Sequence, residues 1–136
     1  MWSWLNSLLG GQSNQAKTGE QITKFPGVVV GRVLSVNKHP NADRLQLAVV
    51  DVGQEQLDIV CGGPNLAVEQ LVPVALIGAQ LPNGLVIKLA TIRGSQSQGM
   101  ICAEDELGLG TKHETIIVLS GQAKVGGPID NFLPNN

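Results

Sequence analysis

The chain has 136 residues, 43% of them hydrophobic and 15% charged, with a formal charge of −2. That length bounds it to one domain with a single core, the Val, Ile and Leu content excludes a disordered polymer, and the net acidity argues against holding a polyanion by bulk charge. Cys61 and Cys102 are the only cysteines, with no Cys-x-x-Cys and no paired histidines, which excludes a disulfide framework or a zinc site.

Trp2, Leu5, Leu8 and Leu9 share one helical face before Gly10 and Gly11, which predicts a short amphipathic helix over residues 1–11. Fewer than about a dozen residues do not recover the cost of helix nucleation, so this helix needs a surface to lie on. Trp2, Trp4, Leu5, Leu8 and Leu9 are its anchor candidates, toward a protein complex, a membrane surface or the chain's own domain. Residues 12–26 are polar and Gly-containing, the composition of a flexible linker. Apolar runs are broken well before a bilayer is spanned, and no basic segment precedes an apolar one, so the expected compartment is a reducing cytoplasm.

Residues 28–36 are β-branched and apolar, which predicts a long strand, with Gly31 permitting the bend or bulge a closed barrel demands. Residues 45–52 and 57–60 follow as strands joined through Gly53 and Gln54, completing a meander. After Gly62-Gly63-Pro64, Asn65 is placed to cap a short helical turn ending at Glu69. Residues 72–77 read as a strand, Pro82-Asn83-Gly84 as a hairpin turn, and residues 85–92 as the returning strand. A short strand at 99–103, a helical turn at 104–107 closed by Gly108 and Gly110, and a last strand at 115–119 complete a domain over residues 27–133, leaving 134–136 as a tail. Short strands, corner glycines and one small helical insert predict an all-β barrel, either a five-stranded Greek key of the OB type or an SH3-like barrel.

Two segments are not explained by core packing. His39-Pro40-Asn41-Ala42-Asp43-Arg44-Leu45 lies between strands and reads as a loop in which Pro40 fixes φ and Asn41 and Asp43 close Asx turns, presenting Lys38, His39 and Arg44 outward. Ser95-Gln96-Ser97-Gln98, between Gly94 and Gly99, is a run of polar side chains able to donate and accept hydrogen bonds, flanked by Arg93 and Met100. No catalytic set emerges: Gly94 to Gly99 does not match Gly-x-Ser-x-Gly, no phosphate-cradling Gly-x-x-x-x-Gly-Lys occurs, and His113-Glu114 has no nucleophile near it in sequence. Glu104-Asp105-Glu106 lacks the spacing of a calcium loop, so neither an enzyme, a metal nor a cofactor is expected.

These segments, with Cys61-Gly62-Gly63-Pro64-Asn65 between them and Glu106-Leu107-Gly108-Leu109-Gly110 after them, occur in the order seen in a known family. The chain resembles the EMAP II-like tRNA-binding module, most of all the version near the start of the bacterial phenylalanyl-tRNA synthetase beta subunit, here free-standing. The resemblance spans residues 27–133 and implies the OB barrel rather than the SH3-like one. It also implies tRNA or another structured RNA as partner, and a homodimer.

The charge distribution suits that expectation better than the total does. No acid lies between Glu20 and Asp43, where Lys24, Arg32, Lys38 and His39 occur, and none between Glu69 and Glu104, where Lys88 and Arg93 occur. The expected RNA-facing set is Arg32, Lys38, His39, Asn41, Arg44, Asn65, Lys88, Arg93, Ser95, Ser97 and Met100, with Asp51, Glu55, Asp58 and Glu104 to Glu106 elsewhere. Aromatic stacking is nearly absent, since the chain has no Tyr and Phe25 and Phe132 sit at the domain's edges. The segment 86–93 keeps only Lys88 and Arg93 where the family is typically lysine-rich, which suits the alternative of a protein-interaction subunit that has lost most RNA affinity and is tethered through residues 1–11.

Overall fold

The structure is a computed structural model and describes residues 23–134; the predicted N-terminal helix with its anchor candidates Trp2, Trp4, Leu5, Leu8 and Leu9 lies outside them. Its framework is a five-stranded antiparallel sheet of β1 (Val28–Lys38), β2 (Gln46–Asp51), β3 (Gln56–Cys61), β4 (Leu71–Leu76) and β7 (Gly99–Ile101). A two-stranded ribbon of β5 (Ala90–Ile92) and β6 (Ser95–Ser97) stands beside it. The spatial order β3-β2-β1-β4-β7 is a Greek key: three strands in a meander, and a fourth returning beside the first. The edge strands β3 and β7 curl toward each other, and the sheet becomes a nearly closed barrel of the OB type.

β4 carries the apolar run Leu-Val-Pro-Val-Ala-Leu because both of its faces are covered. Val72 and Val74 face the barrel interior with Val33, Val50, Leu57 and Ile59, while Leu71 and Ala75 pack outward against Phe25, Ile87, Ile117, Leu119 and Ile129. Pro73 sits mid-strand without penalty. Its carbonyl accepts from Cys102 N (3.0 Å), and the amide it lacks leaves the Cys102 carbonyl free to accept from Ile117 N (3.0 Å). That switch ties the C-terminal extension to the barrel.

Several expectations need correction. The β1 bulge lies between Val33 and Ser35, not at Gly31. Gly31 is instead required by packing, since a Cβ there would stand 2.6 Å from Val50 Cγ1 and 2.7 Å from Val74 Cγ2. The strand expected at 85–92 is split into a lone bridge of Gln80 with Val86 and the three residues of β5. The strand expected at 115–119 reduces to a bridge of Ala103 with Ile116 plus the Ile117 and Leu119 amides, because the segment crosses β4 and β7 rather than running along one of them. The meander turn is where the sequence puts it: Gly53, at φ +102°, closes the β2–β3 hairpin with its amide on Asp51 Oδ1 (2.8 Å). The helical turn expected at 104–107 is present at Asp105–Leu107, stopped by Gly108 at φ 71°.

Candidate nucleic-acid interface

An open groove of about 1150 Å³ runs across one side of the barrel. Lys38 at the end of β1, Arg44 in the following loop and Lys88 before β5 all line it, together with the loop at 61–64 and Met100. All three cations are exposed, and Met100 is half-buried against the outer core. At that size the groove exceeds a typical small-molecule pocket and suits a stretch of polymer. Gly63 helps to shape its wall, since a Cβ there would stand 2.7 Å from Ile116 Cγ2.

The groove is not purely basic. Asp43, Glu106 and Glu114 line it as well, and Glu106, expected elsewhere, is held there by accepting from Ala103 N (2.7 Å) through Oε1. His113 lies on the same rim with Nδ1 3.0 Å from Asp105 Oδ2. The hydrogen bond to Asp105, then the charges of Asp105 and Glu106, raise the His113 pKa above its ordinary value. Asp105, Glu106 and His113 bring one ligand-type atom each within 4.8 Å of one another, a gathering that exposed acids commonly make without an ion. His113 has no role in the sequence reading, because its link to the groove runs through a turn that spacing does not reveal.

Arg32 does not belong to this surface. It lies six residues before Lys38 on β1, beyond the bulge, with Asp51 opposite on β2 and an ion pair to Glu69 (3.6 Å). Its local field is acidic, and nothing joins it to the groove.

The 39–45 loop is rigid, but not through the expected Asx turns. The buried His39 imidazole closes it: Asn41 N donates to Nδ1 (2.9 Å), and Nε2 meets the Ile92 carbonyl (3.0 Å). Since a backbone amide only donates, Nδ1 must be the acceptor and the proton sits on Nε2. His39 is therefore 3% exposed rather than presented to a ligand. Asn41 is exposed and its Nδ2 donates to the Arg93 carbonyl (3.3 Å), so loop and β5–β6 hairpin are joined at two points.

That hairpin turns at Arg93 and Gly94, with φ of 52° and 90°. Positive φ at both central residues is the two-residue turn whose twist matches a hairpin, and it ordinarily selects Asn or Asp before Gly. Arg93 occupies that strained position while its side chain stays exposed, which points to a use for the side chain.

The polar run at 95–98 differs most from expectation. Ser95–Ser97 is a strand, Ser95 is half-buried, and Ser97 is 3% exposed. Ser97 Oγ accepts from Val60 N (3.0 Å) and donates to the Gly99 carbonyl (3.0 Å). Gln98 pairs with Asp58 twice, its N donating to the Asp58 carbonyl and its Oε1 accepting from Asp58 N, both at 2.8 Å. These bonds bridge β3 to the β6–β7 side and close the barrel seam, so Ser97 is a structural residue. Asn65 is likewise committed: its Oδ1 accepts from Ile116 N (3.0 Å) and its Nδ2 donates to the Ile116 carbonyl (3.1 Å), in place of capping a helix. The turn after it is fixed by Gln70, which accepts from Ala67 N (2.8 Å) and donates to the Asn65 carbonyl (2.8 Å).

Neither thiol is poised for chemistry. Burial pushes the Cys102 pKa up to about 12, with Glu106 adding to the effect, and burial likewise raises Cys61. Phe25 is buried and Phe132 half-buried, so neither offers a stacking face.

Comparison with known proteins follows the same line. The family model described as "Putative tRNA binding domain" matches residues 28–128. The phenylalanine–tRNA ligase beta subunit of Nitratidesulfovibrio vulgaris is 44% identical over 138 residues, covering 90% of this chain and 17% of that protein. The corresponding subunit of Chlorobium chlorochromatii is 49% identical over 114 residues, covering 80% of this chain and 14% of its own length. The chain thus spans less than a fifth of these two curated relatives. Among solved structures, the C-terminal domain of Plasmodium vivax p43 superposes with a TM-score of 0.52 at 28% identity, over 73% of this chain and 56% of that one. A MetRS-related protein from Pyrococcus horikoshii shares the fold, with a TM-score of 0.55 at 22% identity, over 74% of this chain and 85% of that one.

Proposed function

Because the chain belongs to the tRNA-binding domain family, we propose that it is a non-catalytic module that docks on the folded backbone of a tRNA along the groove. One observation carries this reading: Lys38 and Arg44 from one stretch of chain, and Lys88 from another, line a single open groove. Lys and Arg so arranged neutralise phosphates and release counterions, which supplies affinity without reading sequence. Arg93 adds a fourth contact from the hairpin tip. The acids along the groove weaken attraction to an unshaped polyanion, so binding selects a ligand whose phosphates match the cations in space. With no stacking face among the described residues, recognition rests on charge, hydrogen bonds and shape. The relatives named for phenylalanine–tRNA ligase make the phenylalanine tRNA the first ligand to try.

The reading is tested by titrating that tRNA at two salt concentrations. Four phosphate contacts, Arg93 included, give a log–log slope of about −3, so affinity should fall roughly fiftyfold between about 50 and about 200 mM salt. No binding at low salt, or binding indifferent to salt, rejects the proposal.

A second reading is favoured by Ile77, Leu85, Val86 and Leu89, which are 51%, 45%, 44% and 53% exposed around the split hairpin. Under it, this surface meets a protein, a second copy of the chain included, and residues 1–11 serve as the tether. On that reading tRNA does not bind even at low salt, and deleting residues 1–11 abolishes co-purification of the partner.

A further inference from the structure

We propose that His39 is a positioning residue for RNA recognition: as a neutral imidazole carrying its proton on Nε2, it clamps the Arg93–Gly94 hairpin tip to the Pro40–Asn41 loop. The competence of Arg93 then depends on a side chain that never touches RNA. This rests on the reading that Arg93 contacts RNA.

Three observations carry the inference. The β5–β6 ribbon has only three paired positions, too few to hold its own orientation, since an isolated two-stranded hairpin is marginal in water. Its base is fixed through Ser97 to Val60 N, whereas among the described residues its tip is held by His39 Nε2 on the Ile92 carbonyl and Asn41 Nδ2 on the Arg93 carbonyl. Both ties originate in one loop, which is itself closed by Asn41 N on His39 Nδ1 and by His39 N on the Leu45 carbonyl (3.1 Å). The His39 side chain thus takes part both in closing the loop and in gripping the hairpin, a grip it shares with the Asn41 side chain.

The clamp tolerates one charge state. A second proton on Nδ1 would face the Asn41 N–H across 2.9 Å, donor against donor, inside a site that is 3% exposed. Both ring nitrogens meet uncharged backbone groups, so no carboxylate at either nitrogen compensates an imidazolium.

The test is tRNA anisotropy at fixed salt and pH on the full chain. His39→Asn keeps an acceptor for Asn41 N but loses the Ile92 bond, and His39→Gln does the reverse. Each should bind up to about fivefold more weakly. In an Arg93→Ala background, either His39 substitution should add almost nothing. Unchanged affinity in both variants, or additivity with Arg93→Ala, overturns the clamp.

A readout independent of RNA separates this failure from failure of the functional reading. The imidazole nitrogen shifts should report the Nε2–H form, and the Ser95 amide should lose exchange protection in His39→Asn. A different tautomer, or protection unchanged in that variant, refutes the clamp even where tRNA binds; both results as expected with no tRNA binding leave the clamp standing and reject the RNA role.

Discussion

The loop at residues 40–44 and the run at residues 95–98 are both short, polar and bordered by strands, yet they end in opposite situations. Ser97 and Gln98 turn their hydrogen-bonding groups onto β3 and seal the barrel, whereas Arg44, beside Lys38, stays exposed along a groove. Polarity does not distinguish recognition from closure. The difference lies in whether an edge strand with unfilled amides stands within reach: Asp58 N and Val60 N occupy the nearby edge, and a serine and a glutamine meet them.

Substitutions in each region should therefore fail in opposite ways. Replacing Lys38, Arg44 and Lys88 together by Ala should cost about 100-fold in tRNA affinity at low salt and flatten the salt slope from about −3 to about −1, while urea unfolding shifts by no more than about 0.5 kcal/mol. Ser97→Val should do the reverse. With the Val60 amide and the Gly99 carbonyl left unsatisfied in a buried seam, about 2–3 kcal/mol of stability is lost in denaturant titration, and the folded fraction binds tRNA within about twofold of the parent. Gln98→Ala, at a half-buried position, should cost about 1 kcal/mol by the same measurement.

Arg93→Asn separates stability from recognition within one residue. Asn accepts the left-handed backbone more readily, so the variant should be more stable by about 0.5 kcal/mol in denaturant titration and yet bind tRNA about fivefold more weakly. The smallest effect belongs to the groove rim. Asp105→Asn should return the His113 titration toward its ordinary value, seen in its imidazole proton shifts. Because Asp105 raises the His113 pKa, whatever stability the pair gives is fully present below the unfolded-state pKa and fades as pH rises through the folded one.

The architecture was readable because it rests on local patterns: the β-branched run of β1, the Gly53 hairpin, the β4 run buried on both faces, and Gly108 stopping the helical turn. Lys38, Arg44 and Lys88 were readable as available cations, and the structure brings them to one groove. What remained hidden depends on partners far along the chain. Ser97 meets Val60 at a separation of 37 residues, Asn65 meets Ile116 at 51, and His39 meets Ile92 at 53. No periodicity encodes those meetings, so three residues that look like ligands for RNA prove to be fasteners. Arg32 misled for another reason: the bulge and the strand's length remove it from a surface to which its sequence neighbourhood assigns it.

Sealing the seam from within also governs self-association. A sheet margin with free amides is a template on which a second chain can add a strand, and through which fibrils grow. Here the outward amides of Asp58 and Val60 are already occupied from within the same molecule, so that margin offers an incoming strand no vacant donors at those positions. Pairing of two copies through β3 would first require Ser97 and Gln98 to be prised away, which turns self-association at this margin away from backbone zippering.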